Sequence, residues 1–73
     1  MKSDNMYGIE NLTKREYQII SLILEGISTK DIAQKLNLAS NTISTHKKNI
    51  FYKLKTKNLF KIYEMKNSKV NNI

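Results

Sequence analysis

From Lys30 to Leu54 the apolar residues recur at intervals of three and four, and one asparagine breaks the series. Spacing of that kind lines one face of an α-helix, whereas a half-buried strand would alternate every second residue. Ile32, Ala33 and Leu36 form a first, short stripe; Ile43, Ile50 and Leu54 form a second, longer one. Between them stand Asn37, suited to a left-handed turn, and Leu38, placed to plug the corner. Ala33 is small where two helices would cross closely. The segment predicts a short helix, a turn of about four residues and a second helix, the helix-turn-helix arrangement.

The remainder reads as helix too. Thr13-Lys14-Arg15-Glu16 is a capping box, in which hydroxyl and carboxylate satisfy unpaired backbone N–H groups. Tyr17, Ile20, Ile23 and Leu24 then predict one apolar stripe, and Gly26 ends the helix by turning left-handed. Ser28 caps a second helix, Thr29 to Leu36, with Asp31 in its first turn. A third runs from about Asn41 to Leu54. Lys55-Thr56-Lys57 is a break, Asn58 can cap, and a fourth helix covers roughly Leu59 to Lys66. The expected organisation is all-α: a flexible arm over residues 1–8, one four-helix domain over 9–66 and a frayed tail over 67–73.

At 73 residues there is room for one domain, and a chain this short leaves much of its surface wet, which favours a partner subunit. The 40% hydrophobic fraction is too high for a disordered chain. Cysteine is absent, excluding disulfides, thiolate metal sites and thiol nucleophiles. No run approaches the roughly 18 apolar residues of a membrane span, and the start lacks the apolar core of a signal peptide; the expectation is a cytoplasmic protein with no membrane association. Residues 1–39 carry five basic and five acidic side chains, whereas residues 40–73 carry eight lysines and Glu64 alone, so the whole net charge of +7 lies in the second half. A surface that meets phosphates leaves that footprint; a solvated lysine-rich end is the plainer alternative.

On a wheel of about 100° per residue, Ile50 and Leu54 fall within about 20° of Ile43. The opposite side holds Asn41, Ser44, Thr45, Lys48 and Tyr52. That face is polar and, Lys48 apart, uncharged, as a helix reading the major groove would present. Such a helix enters by its N-terminal turns, so Ser44, Thr45, Lys48 and Asn41 are the candidates for base contacts, with Tyr52 at most on the backbone. For phosphates the candidates are Thr29 and Lys30, at a helix N-terminus, and Lys47, Lys53, Lys55 and Lys57, flanking the reading helix. About five or six neutralised phosphates would give a log–log salt slope near −5. His46, the only histidine, has neither a second ligand for zinc nor an acid to orient it for catalysis, and reads as a packing or backbone-contacting residue. No metal, cofactor or small-molecule ligand is expected, and no enzymatic activity.

Leu12-Thr13-Lys14-Arg15-Glu16, Glu25-Gly26-Ile27-Ser28-Thr29-Lys30-Asp31-Ile32-Ala33 and Asn41-Thr42-Ile43-Ser44-Thr45-His46-Lys47-Lys48-Asn49-Ile50, followed by Lys53-Leu54, together resemble the LuxR-type (GerE-like) helix-turn-helix domain. The resemblance covers about residues 9–66. It implies a four-helix bundle whose third helix reads double-stranded DNA, a homodimer joined through the fourth helix, and transcription regulation at an inverted or direct repeat. It places base contacts on Ser44, Thr45 and Lys48. With no receiver or ligand-binding domain in the chain, the likeness is to stand-alone members without a built-in switch.

Three positions depart from the family pattern. Ala39 stands where a capping serine is usual, and Ser40 is expected to substitute by starting the helix one residue later. Ser44 replaces a common basic residue, so base preference does not transfer. Lys55 replaces the usual glycine after the third helix, at a cost of about 1 kcal/mol for a left-handed side chain. In the fourth helix Leu59 and Tyr63 are the candidate dimer face, with Phe60 and Ile62 turned inward; the alternative has all four in the core. A competing reading of the whole is a protein-interaction module that captures another regulator or RNA polymerase, as a sigma region-4-like unit would, with weak DNA binding.

Overall fold

A computed structural model describes the backbone of residues 8–71 and the side chains of residues 8–67; of the expected arm and tail, residues 1–7 and 72–73 lie outside it. A 3-10 turn over Ile9–Asn11 is followed by α1 (Lys14–Leu24), α2 (Thr29–Leu36), α3 (Ser40–Leu54) and α4 (Leu59–Asn71). No strand occurs among the described residues, and the architecture is the all-α, four-helix arrangement that the spacing predicts.

Local chemistry sets most helix starts. At α1 the Glu16 N–H donates to Thr13 Oγ1 at 3.1 Å while the Thr13 N–H donates to Glu16 Oε1 at 3.0 Å, completing the capping box. Ser28 Oγ accepts the Asp31 N–H at α2. Asn58 Oδ1 accepts the N–H groups of Phe60 and Lys61 at α4. The exception is α3. Its cap position is Ala39, which makes no side-chain bond, and the helix begins at Ser40 itself. The expected substitution by Ser40 does not occur, because the Ala39 carbonyl already accepts the N–H groups of Thr42 and Ile43 and so sets the first turn one residue earlier.

Three helices end alike. A left-handed residue follows each one, directly after α2 and α3 and one residue later after α1, where Glu25 is still right-handed: Gly26 at φ 86, Asn37 at φ 59 and Lys55 at φ 60. In each case that residue and the next donate N–H groups back to the last turn: Gly26 to Ile23 and Ile27 to Leu22, Asn37 to Gln34 and Leu38 to Ala33, Lys55 to Tyr52 and Thr56 to Phe51. These paired bonds satisfy carbonyls that would otherwise be orphaned. They also reverse the chain sharply enough to bring successive helices together.

The core is built from isoleucine. Ile19, Ile20, Ile32, Ile43, Ile50, Leu54 and Ile62 are fully buried, with Ile9 and Ala33 nearly so. α1 and α2 both pack on α3, and the Ile9–Asn11 turn packs on α3 and α4. The α1 stripe is rotated from the expected one: Ile19 and Ile20 point inward, whereas Tyr17 is 41% exposed with the Lys66 ammonium 5.7 Å from its ring centroid. The cause is Glu16, whose capping role turns it into the interior and swings Tyr17 out.

α4 also differs from expectation. It continues to Asn71, five residues past the anticipated end. Ile62 is buried as expected, but Phe60 is 68% exposed rather than turned inward. Helix geometry allows one orientation only: with Ile62 in the core and Met65 packed beside it, Phe60 lies about 160° away from Ile62. It joins Leu59 and Tyr63 on the outer face.

Two substitutions measure the left-handed ends. A Cβ on Gly26 would meet no atom within 4 Å, so Gly26→Ala reports backbone strain alone and should lower stability by about 1 kcal/mol in urea unfolding. Lys55→Gly should raise it by a similar ~1 kcal/mol. A neutral result at both positions would show that these ends are not held left-handed.

Candidate nucleic-acid interface

Three anchors fix the orientation of α3. Ile43, Ile50 and Leu54 are buried, so the other side of the helix must face out. Asn41, Ser44, Thr45, Lys48 and Tyr52 are all exposed there. Thr45 Oγ1 donates to the Asn41 carbonyl at 3.1 Å, spending its proton on its own helix and leaving its oxygen to accept. Ser44 can donate or accept, and Lys48 offers three donors. One exposed stripe therefore carries both kinds of hydrogen-bonding group with little charge.

The basic candidates separate into distinct environments. Lys30 is exposed and Thr29 half-buried in the first turn of α2, where N–H groups favour an anion but the Asp31 carboxylate of the same turn opposes one. Lys47 is half-buried. Lys55 and Lys57 are exposed and, with Lys48, surround an open groove of about 390 Å³. A candidate base-contacting residue and two candidate phosphate-contacting residues thus meet at the C-terminal end of α3.

Lys53 is engaged elsewhere. Its Nζ lies 2.8 Å from Glu16 Oε1, joining the last turn of α3 to the first turn of α1. Glu16 is 6% exposed and Lys53 35% at their side chains. Burial pushes the Glu16 carboxyl up; the Lys53 hydrogen bond, the Thr13 N–H and the charges of Lys53 and His46 outweigh it and hold the group below its ordinary value. An acid three residues into a capping box was legible in the sequence, but its second partner, 37 residues away, carried no local signal. His46 is half-buried with a buried Nδ1 that has no hydrogen-bond partner. Among the described residues no cluster of His, Cys, Asp and Glu could hold a metal ion, and no helix is long and apolar enough to cross a membrane.

The groove beside Lys48 is the feature that sequence reasoning missed. Phe51, Tyr52 and Thr56 complete its lining. Phe51 follows the buried Ile50 and gives no sign from spacing alone that its outer edge stays uncovered.

Residues 10–66 match the profile of the bacterial regulatory proteins of the luxR family. The chain is 47% identical over 47 residues to the HTH-type transcriptional regulator MalT of Vibrio campbellii, which covers 64% of this chain and 5% of MalT. It is 42% identical over 52 residues to the Fimbriae Z protein of Escherichia coli K12, covering 71% of this chain and 25% of that protein. The chain thus spans only a small part of the length of these relatives. No solved structure gives a significant match.

The Glu16–Lys53 contact has a testable pH signature. A carboxyl whose folded value is depressed contributes stability above its unfolded value and loses it as pH falls through the folded one. Urea midpoints should therefore be flat near neutrality and decline below the ordinary value of 4.5. Glu16→Gln should remove that decline and destabilise by about 1–2 kcal/mol, the low end for a buried pair because Lys53 is partly solvated. An unchanged acid limb in the variant would assign the decline to another carboxylate.

Proposed function

Because the chain belongs to the luxR family of bacterial regulatory proteins, a family of DNA-binding transcription regulators, we propose that it is a sequence-specific regulator that docks α3 in the major groove of double-stranded DNA. The observation that supports this most directly is the exposed stripe of Asn41, Ser44, Thr45 and Lys48, set opposite the buried Ile43, Ile50 and Leu54. Phosphate contacts position a protein and base contacts specify its site. In this reading Ser44, Thr45, Lys48 and Asn41 read base edges, while Lys30, Thr29, Lys47, Lys55 and Lys57 hold the backbone. Lys53 drops out of the phosphate set because its ammonium is bound to Glu16. Four remaining lysines give a log–log salt slope of about −4 per subunit.

The regulator acts as a homodimer in this proposal, joined through α4. Leu59, Phe60 and Tyr63 are 42%, 68% and 51% exposed on one face of that helix. An apolar set of this kind on so small a domain favours a subunit contact. The expected pair Leu59 and Tyr63 is thereby widened to include Phe60.

Fluorescence anisotropy with a selected operator and a random competitor tests the reading. Lys48→Ala should change which base is preferred and weaken the best site by about 1–3 kcal/mol, whereas Lys30→Ala should weaken all sequences alike and flatten the salt slope by about one unit. Equal effects from the two would remove the polar face of α3 from its assigned role. For the dimer, sedimentation of Tyr63→Glu should show a shift to monomer, and an unchanged mass would exclude this face.

A further inference from the structure

The groove at the C-terminal end of α3 shares Lys48 and Tyr52 with the exposed stripe and adds apolar surface from Phe51. Its lining residues are Lys48, Phe51, Tyr52, Lys55, Thr56 and Lys57, without an acidic group among them. Phe51 is half-buried and packed against the core on its inner side. Tyr52 is 74% exposed, and the Lys55 ammonium lies 5.0 Å from its ring centroid. Carbon therefore forms the floor and ammonium groups form the rim.

Lys55 occupies that rim in a left-handed conformation, φ 60 and ψ 28. A glycine would take that conformation without the penalty of about 1 kcal/mol that a side chain incurs. Backbone strain of this kind clusters at binding and switch sites.

We propose that this groove docks an acidic protein segment carrying one bulky apolar side chain, the apolar group lying on Phe51 and Tyr52 and its flanking carboxylates meeting Lys48, Lys55 and Lys57. Charge complementarity favours an anionic partner. The floor distinguishes a peptide from a nucleic-acid backbone, because a hydrated phosphodiester gains nothing from covering apolar carbon, whereas an aromatic or aliphatic side chain does. A cavity of about 390 Å³ is at the lower end of ligand-pocket sizes, enough for one such anchor. The inference does not rest on α3 reading DNA, and loss of operator binding would leave it intact.

The test uses the full chain, a synthetic nonapeptide with one tryptophan among aspartates and glutamates, and amide shift mapping by NMR. Shifts should concentrate on residues 48, 51, 52 and 55–57. Replacing the peptide's tryptophan by serine should weaken binding about tenfold, as should Tyr52→Ser in the protein, the loss typical of a buried anchor. Lys55→Gly should separate stability from binding, giving a protein that is harder to unfold but binds the peptide more weakly. Equal binding of the serine peptide would reduce the effect to bulk charge and overturn the proposal. So would shifts spread over the lysines of α2 and α4, or the same shifts produced by concentrating the protein alone, which would give the groove to a second copy. Shifts from a short DNA duplex at Phe51 and Tyr52 that exclude the peptide would assign it to nucleic acid instead.

Discussion

Helices of 8 to 15 residues do not persist by themselves in water, because nucleation fixes several dihedrals for each first hydrogen bond. In this chain each must be held by burial, and all four bury side chains in one small core dominated by isoleucine. A fully buried side chain of that size contributes about 1.5–3 kcal/mol, so a few such residues decide whether a 73-residue domain folds at all. β-Branching adds rigidity to the contact, since isoleucine has one dominant rotamer in a helix. Rigid side chains in a core this size leave α3 little freedom to rotate about its axis.

That restriction connects core to surface. Once Ile43, Ile50 and Leu54 are inside, the residues on the far side are determined by helical geometry, and Asn41, Ser44, Thr45 and Lys48 are presented together. The left-handed ends at Gly26, Asn37 and Lys55 serve the same purpose at the level of the chain. Each closes one helix by backbone hydrogen bonds and redirects the next one onto the shared core.

Glu16 ties the two levels together. One carboxylate caps α1 and accepts Lys53 from the end of α3, so the starting turn of one helix is fastened to the final turn of another. The same bond withdraws a lysine from a surface that is otherwise strongly basic. Charge remaining at the C-terminal end of α3 gathers around an apolar floor, while the N-terminal half presents hydrogen-bonding groups with little charge. Two chemically different surfaces thus share a single helix.

Sequence alone determined the helix count, the caps at Thr13, Ser28 and Asn58, the left-handed ends, most of the core and the outward stripe of α3. These depend on interactions within four or five residues, or on a spacing that one helix must obey. Tertiary structure decided the rest. With Glu16 turned inward by its capping role, Ile19 rather than Tyr17 is buried, and the carboxylate meets a lysine 37 residues away. Ser40 does not rescue the missing cap, because the Ala39 carbonyl already sets the first turn. Phe60 is exposed because Ile62 and Met65 take the inward positions once α4 meets the core. Seven apolar or aromatic residues compete for inward positions in the chain's last third, and no local pattern ranks them. Only the packing of one helix against the others selects which are left outside.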